Sequence, residues 1–140
     1  MKFSDFDAAA WEENKHFYDT CLLPYTGLTG TESPPEAVGA LERLRDFMEI
    51  FENLFRGRVV SYPVVQYAGG NSLEQINELC RIVKSTYFRY VVVVSADIVI
   101  SEDEIPLSDV IFSRSLLESM TPFQTKKFIN EKIQELWQKK

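Results

Sequence analysis

The run Tyr90-Val91-Val92-Val93-Val94 constrains this chain more than any other feature of its sequence. Consecutive β-branched side chains are stiff at χ1 and favour extended backbone. A strand with one wet face alternates apolar and polar residues, whereas an unbroken apolar strand needs cover on both faces. The spacing predicts a strand over Tyr90–Ile100 (YVVVVSADIVI), and its double burial points to a parallel sheet between two layers of helices.

Three helix starts carry the signature of a capping box, in which a hydroxyl accepts from the third amide and a Glu or Gln reaches back. They are Ser33-Pro34-Pro35-Glu36, Ser72-Leu73-Glu74-Gln75 and Thr121-Pro122-Phe123-Gln124. Apolar periodicity behind them predicts helices over about Pro34–Phe55, Leu73–Ser85 and Pro122–Gln138. In the first of these, Leu41, Leu44, Met48, Phe51 and Phe55 make one stripe, widened by Phe47, Ile50 and Leu54, and Gly57 supplies the stop. Leu73, Ile76, Cys80 and Val83 face inward on the second, and Ile129, Ile133 and Leu136 on the last. An earlier helix, about Phe6–Tyr18, has Ser4 or Asp5 as its cap and turns Trp11 and Phe17 inward.

Further strands are expected over Thr20–Tyr25, over Arg58–Val65 with Pro63 at its end, and over Asp109–Ser113. The order α-β-α-β-α-β-β-α describes one α/β domain over residues 1–140. It has three layers, with a short, mostly parallel sheet of three to four strands and helices on both faces.

In such a sheet, ligands bind beyond the carboxyl ends of the strands. Three segments fall there: the loop after the first strand with Thr29, Thr31 and Glu32; the turn with Tyr67, Gly69, Gly70, Asn71 and Ser72; and Ser95-Ala96-Asp97. The Gly69–Ser72 turn opens a helix and offers amides to an anion, yet it has neither the spacing of a P-loop nor its lysine. Glu102-Asp103-Glu104 reads as a solvated acidic loop.

Lys and Arg number 15 against 21 Asp and Glu, a net charge of −6 that disfavours a nucleic-acid partner. One His and two Cys cannot furnish a multi-ligand zinc site, and His16 has no Ser or Cys in nucleophile context beside it. Cys21 and Cys80 read as separate thiols buried in a reducing cytosol. The opening Met1–Asp7 is acidic and does not read as a signal peptide, and no apolar run approaches the roughly 20 residues of a membrane span.

The segments Asp19-Thr20-Cys21-Leu22-Leu23-Pro24, Phe55-Arg56-Gly57-Arg58-Val59-Val60-Ser61-Tyr62-Pro63 and Phe88-Arg89-Tyr90 resemble the YpiF-like proteins of Gram-positive spore-formers, over the chain up to about Ser115. That family carries no established activity, so the resemblance implies no catalytic residue. The chain is also similar, more distantly, to creatininase-type amidohydrolases. Glu32 stands at the metal-ligand loop of that family, but Pro34 takes the place of the histidine, Gln75 replaces another, and Ser95-Ala96-Asp97 holds none. This second resemblance implies a scaffold without the metals.

The chain therefore reads first as a small cytoplasmic, non-catalytic interaction or accessory protein. It would dock a protein partner, or form a homodimer, through Phe47, Ile50 and Leu54 of the wide apolar helix. An alternative is a small polar metabolite or anion site built from Thr29, Thr31, Glu32, Tyr67, Gly69, Gly70, Asn71, Ser72, Ser95 and Asp97. A third function is a degenerate hydrolase-like enzyme using the carboxylates of Glu32 and Asp97. No catalytic residue, cofactor or metal ligand is assigned.

Overall fold

Strand β1 (Thr20–Leu28) lies at the centre of a five-stranded sheet and hydrogen-bonds to three other strands. The computed structural model describes residues 1–139. On one side of β1 run β2 (Val59–Ser61) and, beyond it along the same edge, β3 (Val65–Tyr67). On the other side runs β4 (Tyr90–Ser95), followed by β5 (Val110–Ser113). Every pairing between these strands is parallel, and Thr20–Tyr25 is in register with Tyr90–Ser95.

Side-chain alternation along β1 and β4 divides the interior in two. Leu22, Val92 and Val94 face α2 (Pro34–Leu54) and α4 (Pro122–Gln138), with Phe47, Phe51, Phe112, Ile129 and Ile133 completing that core. Cys21, Leu23, Val91 and Val93 face α3 (Ser72–Lys84), with Ile76, Cys80 and Phe88, and α1 (Ala8–Asn14) adds Trp11 at the margin. The three-layer α/β architecture and the double burial of the valine run are as the residue pattern predicts. From β4 to β5 the chain crosses without an α-helix. A single 3-10 turn, Glu102–Glu104, stands in that layer, with Ile100 and Ile105 buried beneath it.

The amino end of the sheet is tied by one cluster. Arg58 makes a two-point ion pair with Asp19 (2.8 and 2.9 Å) and lies 4.0 Å over the Trp137 ring. The Trp137 indole N–H donates to Thr20 Oγ1 at 2.9 Å. The contact joins β1, the entry to β2 and the last turn of α4.

Several local expectations need correction. The Arg58–Val65 strand splits at Pro63, which has no N–H for the ladder, and its two halves pair separately with β1. Because β3 continues along β1, that strand runs to Leu28, three residues past Tyr25. Strand β4 stops at Ser95, where the Ser95 hydroxyl bonds the Ile98 carbonyl and bends the chain. Asp7 caps α1, accepting from the Ala10 amide at 2.7 Å, and Phe17 lies outside on a 3-10 turn. Ser72 is the first residue of α3 and caps nothing; its hydroxyl sits 3.1 Å from the Tyr25 hydroxyl. In α2 the buried line is Ala40, Leu44, Phe47 and Phe51, continued by Phe55, so Leu41 and Leu54 stand at the surface and Met48 is half-buried.

Phe51 is fully buried, edge-on to both Phe47 and Phe112. Phe51→Ala should lower unfolding stability by about 3–5 kcal/mol. Leu41→Ala, about a quarter turn round the helix and exposed, should stay within about 1 kcal/mol of the parent. Urea unfolding midpoints measure both.

Candidate functional site

Sheet order places the crossover switch between β1 and β4, and the crevice outside their carboxyl ends is where a parallel sheet of this kind receives ligands. Here that crevice is filled by the chain itself. Gly27 adopts a left-handed φ of 72°, and a Cβ on it would lie 1.7 Å from Ile98 Cδ1. The Ile98 side chain is thus seated directly on the Gly27 backbone, in the space between the two strand ends.

The polar groups of the rim are likewise engaged with one another. Glu32 folds back over the loop after β1, where its carboxylate accepts from the Thr29 amide (2.8 Å), the Gly30 amide (3.0 Å) and the Thr29 hydroxyl (2.9 Å). Desolvation pushes the Glu32 carboxyl up, and the hydrogen bonds from Thr29 and Gly30 more than reverse that, leaving its pKa below the ordinary value. Thr31 Oγ1 pairs with Thr29 Oγ1 at 2.7 Å. The Thr29 and Gly30 amides, which could cradle an external anion, already hold a carboxylate of their own chain. At the start of α2, Ser33 and Glu36 complete the expected capping box (3.0 and 3.3 Å).

Across the crevice, Arg43 of α2 forks onto Asp97, with both N–H···O distances 2.8 Å. The Arg43 hydrogen bonds hold the Asp97 carboxyl below its ordinary 3.8 against an opposing desolvation. Ser95 is buried and bonded to Ile98 and, at 3.4 Å, to Ser113. Ser72 is buried against Tyr25, and Asn71 accepts from the Gln75 side chain at 3.2 Å. Gly69 and Gly70 take positive φ in the turn beside them, and Tyr67 stands exposed at the end of β3. The fold therefore gathers Thr29, Thr31 and Glu32 into one knot, while Asp97 and Ser95 each bond elsewhere. Glu32 and Asp97 do not share a hydrogen-bond network.

Other reactive groups are subdued. Burial pushes the Cys21 and Cys80 thiols up, Cys80 to about 11, so both stay protonated at neutral pH. Both cysteines are free. His16 is exposed, stacked on Phe17, on a turn that precedes β1 at the opposite end of the sheet. Among the described residues, no three His, Cys, Asp or Glu side chains cluster as a metal site would require. No described helix is long and apolar enough to cross a membrane.

Two largely apolar grooves flank α2. One, of about 450 Å³, lies between α2 and the start of α4, and is lined by Phe47, Ile50, Leu117, Met120 and Pro122 with Asp46, Arg114 and Glu118 at its polar edge. The second, of about 390 Å³, opens where Pro63 interrupts the sheet edge. Leu41, Leu44, Met48 and Glu52 of α2 form one wall; Ser61, Tyr62 and Val64 face them. Leu41, Leu44 and Met48 belong to the stripe that the residue spacing assigned to the core, and Glu52, four residues beyond Met48, continues it. The readable signals for this groove were a proline inside a strand and a carboxylate on an apolar stripe.

A sequence model of the family described as "Protein of unknown function (DUF2487)" matches residues 9–139. No curated protein and no solved structure matches the chain.

The Arg43–Asp97 pair has a definite pH signature. A depressed carboxyl pKa contributes stability that is present above the unfolded value and lost as pH falls through the folded one. Asp97→Asn should be less stable than the parent at pH 7 by no more than about 1 kcal/mol, because solvent screens a pair this exposed. The gap should close in acid, below the ordinary carboxyl value of 3.8. Thermal unfolding across pH measures it.

Proposed function

The chain belongs to the DUF2487 family, whose description names no activity, and from the geometry of its surface we propose that it is a non-catalytic interaction protein that pairs along the α2–α4 groove. The observation that carries this reading is the apolar lining of that groove, together with uncovered apolar side chains on the elements that bound it. Leu54 is 39% exposed on α2, one turn beyond Ile50, while Leu116 and Phe123, on the segments that bound the groove, are 63% and 77% exposed. Large apolar groups left in water singly mean little, but grouped about a concave surface they mark a docking face. Phe47 lies at the groove floor within the core, so the contact surface falls to Ile50 and Leu54.

A second copy of the chain is the partner this face suits. Its edge carries both signs, with Asp46 on α2 and Arg114 near Glu118 (3.5 Å) across from it. A two-fold contact sets the same patch against itself, and a patch of mixed sign can then place each arginine against an acid. A cytosolic setting agrees with two thiols that remain free and buried. The metabolite-site reading draws less support, since Glu32, Asp97 and the Thr29 and Gly30 amides are held by their own chain. The degenerate-hydrolase reading, and with it a creatininase-like scaffold, rests on the same two engaged carboxylates.

Light scattering on the eluting protein should give twice the 16.2 kDa chain mass, and Leu54→Lys or Phe123→Lys should return it to one chain without loss of fold. A strict monomer throughout the micromolar range would remove this reading.

A further inference from the structure

We infer that the groove between α2 and the β2–β3 break is a binding site for a small, neutral, largely apolar molecule bearing a hydroxyl head, an alcohol or a phenol. The site is distinct from the α2–α4 groove.

Its walls are Leu41, Leu44, Met48, Tyr62, Pro63 and Val64. The volume, about 390 Å³, falls within the range of about 300–1,000 Å³ typical of small-molecule sites. Two polar atoms among the lining residues have no partner among the described residues. Glu52 is only 7% exposed, and its Oε1 accepts from Lys2 Nζ at 3.0 Å, while its Oε2 is buried and receives no hydrogen bond. Ser61 is 2% exposed, and its Oγ is also without a partner. A buried acceptor left unmade is expensive, and more so when it is charged. Buried polar groups are satisfied almost everywhere in proteins, so two orphans on one apolar groove point to a ligand.

The chemistry of the orphans selects the head group. A carboxylate oxygen only accepts, so the ligand must donate to Glu52. A serine hydroxyl both donates and accepts, so Ser61 can answer a ligand hydroxyl in either direction. Charge narrows the class further. Lys2 already neutralises Glu52, and Arg45 adds a further positive group to the lining, so an ammonium head would find no uncompensated negative charge there. An anion would be set against Glu52. The body must be apolar to match Leu44, Met48 and Val64.

Naphthol is the probe, with naphthalene and protonated naphthylmethylamine as its hydroxyl-free and cationic counterparts. Titration calorimetry on the full chain should show saturable, one-to-one binding of naphthol. A hydrogen bond to a charged acceptor makes naphthol about tenfold tighter than naphthalene. Glu52→Leu should abolish that preference, and Ser61→Ala, which removes one atom, should reduce it. Met48→Trp, which fills the groove, should abolish binding of both. Naphthol that fails to bind the wild-type chain, binds no better than naphthalene, or binds less tightly than the ammonium probe would overturn the assignment, with or without a folded Met48→Trp protein. The dimer measurement does not bear on this result, because the α2–α4 face contributes none of these residues.

Discussion

The pairing of β1 with three neighbours is the constraint from which the remaining structure follows. Both of its edges are occupied, so Thr20–Tyr25 cannot shift by one residue without turning Leu22 and Leu23 onto the wrong faces. That register assigns alternate side chains of β1 and β4 to two separate cores, one beneath α2 and α4, the other beneath α3. The Asp19–Arg58–Trp137 cluster then anchors the last helix to the start of the same strand. The amino end of the sheet is held by charge and stacking, and the middle by apolar burial.

The carboxyl end, where the switch between β1 and β4 opens a crevice, is closed by the same economy of parts. Gly27 lacks a Cβ, and Ile98 takes the space. Glu32 holds the amides of its own loop, and Arg43 holds Asp97. Each of these contacts is modest alone, since the polar ones are largely exposed. Together they occupy the Thr29–Glu32 loop and Asp97, and two largely apolar concave surfaces lie instead along the flanks of α2. One flank is apolar with a mixed-charge edge, suited to a protein surface. The other contains two buried, unanswered polar atoms, suited to a small molecule.

Signals confined to a few neighbouring residues were legible in the sequence. The Ser33–Glu36 and Thr121–Gln124 boxes form as their spacing implies, because both partners lie within one helical turn. The valine run is a strand buried on both faces for reasons internal to its side chains. What distant residues decide was not legible. The Ser72 box is lost to the Tyr25 hydroxyl, 47 residues away in the chain. Along α2, two lines at helical spacing share Leu44 and Phe51, and only the packing of α4 and β5 selects the one through Ala40 and Phe47. The other line became the wall of a groove. The closure of the rim was equally hidden: Thr29, Thr31, Glu32 and Asp97 have the composition of a polar site, and nothing local reveals that Ile98 and Arg43 arrive to occupy it.

Amide hydrogen exchange on the native protein tests this account most directly. If β1 is the element on which both cores depend, the amides of Leu22, Leu23, Val92 and Val93 should exchange only through global unfolding, more slowly than any in α2 or α4. Exchange of β1 by local opening, with the helices of either layer better protected than the strand, would contradict it.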